Sequence, residues 1–431
     1  MIDVAAQPRS FRQLLADKVF GPFFFANSLS NTGNWFQNVA AAIVVFDLTG
    51  SNTAVGAVSM LQFLATMLLT PWMGSLTDRV NRRRMLLSGQ TIAFAGAGVL
   101  AVAVFVRDVN GLGGPWLIFA TTAILGLGSS INLPSLQALV PALVPKADLR
   151  SAITLSSMTF NVARSIGPVA AGAVIAGFGA KWAFGINAVS FLPLLVVLLF
   201  VSPPGRVDPE PNARSTVKDG LIWIWQHRPI AVVITTTVVV GWTSDPFTTL
   251  MPALAKELGG GERTVGLLVG AFGLGAAVTA PLSNQIRRIV GAARFVPAGL
   301  CLISTGIAVL AFAPVVEVAL VASTIAGSGF LLGVTGTNAE LQQVIPDALR
   351  GRIMAWWSVA FLGCRPLAAL FDGGIADAIN VRTALGISAS IAGTAGLTLW
   401  FRGLTTNVDM SRPTADSASS GDSRRQSGQR S

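Results

Sequence analysis

Apolar runs of about 20 residues or more recur between residues 20 and 401. Each is long enough to cross roughly 30 Å of hydrocarbon as a helix. Twelve can be drawn, at 20–46, 53–76, 85–106, 115–138, 152–177, 182–202, 229–255, 264–288, 294–313, 316–338, 352–376 and 382–401. The stretch from Ser190 to Val201 is apolar on every side, whereas a strand of a membrane barrel alternates. Only 12% of the residues are charged, against roughly 25% in a soluble domain, so lipid must solvate most of the surface. The expectation is an all-α membrane protein of twelve transmembrane helices.

Residues 1–19 are mixed polar and charged, and the run after them is too long for a signal-peptide core and lacks a cleavage motif, so no removed segment is expected. Cys301 and Cys364 both fall inside spans, which leaves no disulfide framework and no CxxC metal site. A net charge of +10 raises the question of nucleic acid, and the placement of the basic residues points to lipid instead. With both termini cytoplasmic, 23 of the 30 Lys and Arg fall in cytoplasmic segments. Arg107, Lys181, Lys256, Arg263 and Arg382 fall in outer loops, and Arg164 and Arg365 inside spans. This positive-inside bias predicts a multi-pass protein of the inner, or plasma, membrane. Trp116, Trp182 and Trp400 stand at span ends, where an amphipathic ring suits the headgroup region.

The chain also repeats itself. Thr53-Ala-Val-Gly56 opens the second span and Arg263-Thr-Val-Gly266 the eighth, and fifteen residues lead from each glycine to a proline, Pro71 and Pro281, an offset of 210. Val80 then meets Val290, Asn81 meets Gly291, and Arg84 meets Arg294. Leu136-Gln-Ala-Leu-Val-Pro141 lies opposite Leu341-Gln-Gln-Val-Ile-Pro346, an offset of 205. Duplicated halves around a midplane site are a transporter architecture. The predicted organisation is a cytoplasmic N-terminus (1–19), two pseudo-symmetric six-helix bundles (20–202 and 229–402), a cytoplasmic linker (203–228) and a disordered cytoplasmic tail (403–431). Within the linker, Val217, Leu221, Ile224 and Trp225 recur at helical spacing, predicting a short amphipathic helix on the membrane face.

The loop after the second span reads Gly74-Ser-Leu-Thr-Asp78-Arg79-Val-Asn81-Arg82-Arg83-Arg84. It resembles the Gly-x-Leu-Ala-Asp-Arg-x-Gly-Arg-Arg signature of the major facilitator superfamily, with Asn81 in place of the second glycine. Together with the spans and the duplication, the resemblance covers about residues 20–402 and implies the major facilitator fold. It further implies that Asp78 latches the cytoplasmic side against basic groups and the N-terminal end of the eleventh helix. A helix start carries roughly half a positive charge, and Arg350 and Arg352 flank the expected start of that helix. The gating candidates are therefore Gly74, Asp78, Arg79, Arg82, Arg83, Arg84, Arg350 and Arg352, against the plainer reading of a topogenic stop signal. The second-half loop has Arg288 opposite Asp78, so gating is expected to be asymmetric.

In the fifth span, Asn161-Val-Ala-Arg164-Ser-Ile-Gly167-Pro168-Val-Ala-Ala-Gly172 resembles the Gly-Pro motif of drug and proton antiporters. Its Asn-x-x-Arg-x-x-Gly-Pro form is similar to the branch containing the enterobactin exporter and related secretion and drug efflux transporters. Gly167, Pro168 and Gly172 are expected to bend that helix and form part of the seam between halves. Arg164 and Arg365 each cost roughly 2.5–3.5 kcal/mol inside a span. They either bind an anionic group of the substrate or line a water-filled cavity, or else pair structurally with Asn161, Asp372 or a freed carbonyl.

Asn27, Asn31, Asn34 and Asn38, spaced 4, 3 and 4, share one face of the first span, with Gln37 beside it. A polar stripe facing lipid is costly. The family's cavity is lined by spans one, four, seven and ten, which makes these amides substrate-contact candidates, with interhelical bonding as the alternative. The seventh span adds Trp242, Thr243, Asp245 and Thr248, with Pro246 breaking the helix beside the acid. Asp245 is the proton-coupling candidate by position, and capping of a broken helix is its plainer role. Asp47, Asp372 and Asp377 stand nearer span edges.

Gly270-Ala-Phe-Gly273-Leu-Gly275 lies in an apolar span with no preceding strand and reads as helix packing rather than a nucleotide loop. There is no Walker loop and no HExxH, and the only histidine is His227, so no enzyme and no cofactor is expected. The reading is a secondary active transporter that exports a small molecule (a drug-like compound, siderophore or metabolite) in exchange for protons by alternating access. The expected partners are that substrate, protons and membrane lipid, with no nucleic acid, in a monomer. An importer or uniporter on the same fold, or a non-transporting sensor or scaffold, are the rivals.

Overall fold

The computed structural model describes residues 9–77, 80–200, 217–345 and 350–402. The predicted tail at 403–431, most of the linker and the gating pair Asp78 and Arg79 lie outside the described residues, as do the side chains of Arg164, Arg350 and Arg352. Twelve helical segments follow in order. They are α1 (Phe20–Thr49), α2 (Asn52–Thr77), α3 (Arg82–Arg107), α4 (Trp116–Leu139), α5 (Leu149–Phe178) and α6 (Ala180–Ser190 with Leu192–Phe200). The second half has α7 (Arg228–Trp242, Pro246–Thr249 and Met251–Glu257), α8 (Glu262–Val290), α9 (Ala292–Ala311), α10 (Val316–Val344), α11 (Arg350–Gly363 with Arg365–Ala378) and α12 (Val381–Arg402). The expected linker helix is present at Val217–Gln226. No strand occurs among the described residues.

Ten of these segments, among the described residues, are long and apolar enough to cross a membrane unaided. Of the other two, α1 is 30 residues long and carries the asparagine stripe, so polarity rather than length sets it apart, while α5 includes the shorter apolar stretch Gly167–Phe178 among the described residues. They are held within the bundle, where α1 packs on α5 and α6.

Packing reproduces the duplication. α2 packs on α4, α3 on α4 and α6, and α1 on α5; six helices later, α8 packs on α10, α9 on α10 and α12, and α7 on α11. The halves meet through α5 on α8 and α11 on α2, again related by a shift of six. At both crossings a repeat-marking glycine touches the other half. Gly56 of α2 lies against the Ala369 carbonyl of α11, and a Cβ on Gly172 of α5 would stand 2.5 Å from the Gly266 Cα of α8. Glycine permits that backbone approach and a side chain would not. The glycine run of α8 packs likewise, with Gly270 against Val169 and Gly275 against Thr324.

Three helices break where proline follows. α6 is interrupted at Phe191, α7 at Thr243–Asp245 and α11 at Cys364, ahead of Pro193, Pro246 and Pro366. Proline lacks the N–H that would continue the ladder and crowds the preceding turn. In α5, Pro168 lies within a continuous helical run.

The bundle has two ends. One carries the turn between α2 and α3 and most of the arginines; it is called the basic face here. On the opposite face, Asp377 of α11 caps α2 across the seam. It accepts from Ser51 Oγ (2.6 Å), the Asn52 N–H (2.7 Å), Asn52 Nδ2 (3.0 Å) and the Thr53 N–H (2.9 Å). A carboxylate at a helix start satisfies orphan donors and meets the positive end of the dipole.

On the basic face, outside the spans, Arg9 joins two acids. Its N–H and Nε donate to Asp148 at 2.7 and 2.6 Å, and its Nη1 to Asp17 at 2.8 Å. Hydrogen bonds from Phe20 N–H foremost, then Val19 N–H and Arg9, hold the Asp17 carboxyl below its usual range. The Arg9 N–H and guanidinium do the same for Asp148. Because both folded values are depressed, this contribution is complete above the unfolded value of about 3.9 and is lost as pH falls through the folded values.

Two outcomes follow. Asp377→Ala should cost about 0.5–2 kcal/mol, the usual loss for a helix cap, seen as a lower melting temperature in detergent. The melting difference between wild type and Arg9→Ala should be present at neutral pH and shrink as the pH falls below about 4.

Candidate substrate and coupling site

The breaks in α7 and α11 face each other. Gly241 lies against the Phe361 carbonyl, and Cys364 Sγ donates to the carbonyls of Val238 and Phe361, each at 3.4 Å. Each break presents one charged residue directly before its proline, Asp245 before Pro246 and Arg365 before Pro366. Asp245 is 0% exposed and Arg365 8%. One Asp245 oxygen accepts from Thr249 Oγ1 at 2.7 Å. The other stands 3.8 Å from Arg365 Nε, too far for a hydrogen bond, and both facing atoms lack a hydrogen-bond partner. The guanidinium instead lies over the Phe63 ring of α2, 4.3 Å from its centroid. A cation over an aromatic face is stabilised most when desolvated.

Arg365 also lines a narrow gap, a cavity of about 10 Å³, together with Trp35, Ser244, Phe247, Thr248, Val269 and Phe272. These residues come from α1, α7, α8 and α11, so both halves contribute. Phe247 and Phe272 stack with centroids 4.2 Å apart. Gly167 of α5 supports Trp35, since a Cβ there would stand 2.6 Å from the Trp35 Cβ. The Gly167 and Gly172 motif therefore serves close packing, one glycine toward α1 and the other toward α8.

Of the residues expected to contact substrate, the structure brings Arg365 to this cavity. Thr243 is fully buried and donates to the Val239 carbonyl of its own helix at 2.9 Å. Trp242 packs edge-on against Phe371 at 5.5 Å, with its indole N–H unpartnered. Gln37 turns into the first half, where its Oε1 accepts from Asn187 Nδ2 of α6 at 3.2 Å. Asn27 is buried and its carbonyl accepts from Asn31 Nδ2 at 3.0 Å, while Asn31, Asn34 and Asn38 are half-buried. Trp35, set among those asparagines, is the cavity residue that the polar pattern hid.

Of the partners expected for Arg365, Asn161 has its side chain outside the described residues, and the structure sets Asp245 rather than Asp372 beside the guanidinium. Asp372 is fully buried and accepts from Ser388 Oγ at 3.0 Å. The sequence reading also passed over Glu340 of α10, which is 6% exposed with one oxygen unpartnered. It stands opposite Ser135 in the 205-residue repeat, a departure between halves that could have flagged it.

The arginines of the loop after α2 divide. Arg82 Nη1 donates to the Ala138 carbonyl of α4 at 3.2 Å, and Arg83 to the Leu198 and Leu199 carbonyls that end α6. These carbonyl partners lie within the first half. Asn81, the departure from the family signature, caps α3 by accepting from the N–H groups of Arg83 and Arg84 at 3.0 and 3.2 Å. Arg84 is exposed, and Gly74 lies within the helical run of α2.

A membrane bundle of two six-helix halves, with an acid and a base buried where they meet, defines a polytopic transporter. The sequence model of the transmembrane secretion effector family matches residues 11–418, and the chain belongs to that branch of the major facilitator transporters. It is 22% identical to the staphyloferrin A transporter of Staphylococcus aureus, over 83% of this chain and 90% of that one. It is 25% identical to the enterobactin exporter EntS of Citrobacter koseri, over 83% and 85%. Among solved structures, the nucleoside transporter NupG matches with a TM-score of 0.73 at 12% identity, covering 91% of this chain and 99% of that one; that likeness is one of fold. The protein is a transporter of small molecules and not an enzyme.

A double-mutant cycle checks the charge pair. Asp245→Asn and Arg365→Gln should each destabilise, and together by less than their sum, with a coupling of about 0.5–3 kcal/mol in thermal unfolding.

Proposed function

We propose that the protein exports a small molecule across the plasma membrane in exchange for protons, by alternating access, with Asp245 as the proton-binding group. The observation that carries this reading is the Asp245 and Arg365 pair. Two ionisable groups held in a bundle core are costly, and here they stand on the seam that alternating access must open. An ionised Asp245 holds Arg365 between α7 and α11; a protonated one releases it, so the charge state of the pair biases how those helices sit. Exporters of siderophores among the relatives favour efflux of a metabolite of that kind. Moving one charge through 100 mV releases about 2.3 kcal/mol, which is ample for accumulation outside.

The contacts at Gly56, Gly172 and Asp377 fit a gate at the opposite face, which we assign to the outside. The basic face, with both termini, is then cytoplasmic. Its latch is Asp78 with Arg79, Arg84 and the helix start near Arg350 and Arg352, while Arg82 and Arg83 brace α3. We take the working unit to be a monomer in contact with membrane lipid, with the half-buried asparagines of α1 on the substrate path.

Everted vesicles energised with a respiratory substrate give the test. A chemically diverse panel should contain compounds that dissipate the pH gradient only when this protein is present. That response should vanish in Asp78→Asn and fall at least tenfold in Asp245→Asn. Substrate flux without any proton movement would instead establish a uniporter, and a protein indifferent to both substitutions would be a sensor or scaffold.

A further inference from the structure

We propose that Arg365 is the docking point for a carboxylate on the substrate, held in an aromatic-walled cavity. This rests on the transporter reading above and adds the chemical class of the load. Arg365 is nine-tenths buried, lines the cavity and makes no hydrogen bond. A guanidinium has five N–H donors in a planar fork, and burial without acceptors is expensive. Its flat face is occupied by Phe63. Its Nε edge turns to Asp245, which leaves the terminal nitrogens as the free edge. That edge matches the two oxygens of a carboxylate in the bidentate manner.

The walls narrow the class further. Trp35, Phe247 and Phe272 present rings around the guanidinium, so the carboxylate should be borne on a planar or apolar body. The gap between these walls is about 10 Å³ as it stands, room for about one water, so the acidic fragment enters as the seam opens. Asp245 then acts as a positioning residue. When ionised it fixes the Nε edge and aims the free edge at the load; its protonation lets the guanidinium turn away. An anion leaving a cell is moreover pushed by the inside-negative potential, which agrees with export.

Purified protein in nanodiscs, titrated with 2-naphthoate and with methyl 2-naphthoate, tests this without transport, the readouts being quenching of tryptophan fluorescence and melting temperature. The acid should bind at least tenfold more tightly than the ester. Arg365→Lys should keep part of that preference, and Arg365→Gln should bind acid and ester alike. Asp245→Asn should weaken the acid and leave the ester unchanged. Because Arg365→Gln could lose its fold, its melting curve is read first, and Trp35→Ala serves as a second variant that should weaken both ligands while keeping the preference. Equal binding of acid and ester by wild type, binding of neither, or a preference that survives in folded Arg365→Gln would overturn the assignment. Absence of proton-linked flux in vesicles would overturn the exchange reading and leave the carboxylate site standing.

Discussion

The close approach of backbones where the halves cross is the constraint on which the rest depends. α5 meets α8 at Gly172 and Gly266, and α2 meets α11 at Gly56 and Ala369. In lipid there is no hydrophobic drive to bring helices together, so van der Waals contact between small residues must do so. Gly56 and Gly266 are the repeat glycines that mark the duplication. Their retention in both halves has a geometric cause, since each is the point at which its half touches the other.

Against that fixed seam, the charged site is built from interruptions. α7 breaks at Thr243–Asp245, directly before Pro246, and α11 at Cys364, two residues before Pro366; Asp245 closes the first break and Arg365 follows the second. A break frees backbone groups and opens room for a side chain that a continuous helix would turn to its neighbours. Asp245 and Arg365 therefore reach each other across two helices. Cys364 and Gly241 set the two breaks side by side, and that packing brings the charges within 3.8 Å of each other.

Much of this was legible in the sequence, because spans, proline breaks, the linker helix and the duplication are local or periodic signals. The glycines of the seam were visible as a motif, and Arg365 and Asp245 as costly charges. What could not be read is which groups meet. Arg365 had Asn161, Asp372 or a freed carbonyl as expected structural partners and stands beside Asp245 rather than Asp372, because rotation of one helix against another is not written in either. Gln37 shared a stripe with the asparagines yet bonds Asn187, and Trp35, between two of them, lines the cavity instead. Arg82 and Arg83 read as part of a charge cluster, but the helix-end carbonyls they bind come from α4 and α6, far along the chain. Asn81 and Asp377 illustrate the same division. The cap of α3 is local and explains the departure from the signature, while the cap of α2 comes from more than three hundred residues away.

That distant cap gives the resting protein a preferred orientation. α2 ends on the opposite face with a start that its own half leaves partly uncapped, and the missing acceptor is lent by α11 of the other half. Any state in which those ends separate must leave the donors to water. A cap is worth about 1 kcal/mol, which corresponds to roughly a fivefold weighting of populations. Between two arrangements otherwise equal, the one that keeps these helix ends together would be the more populated, held there by the helix start itself.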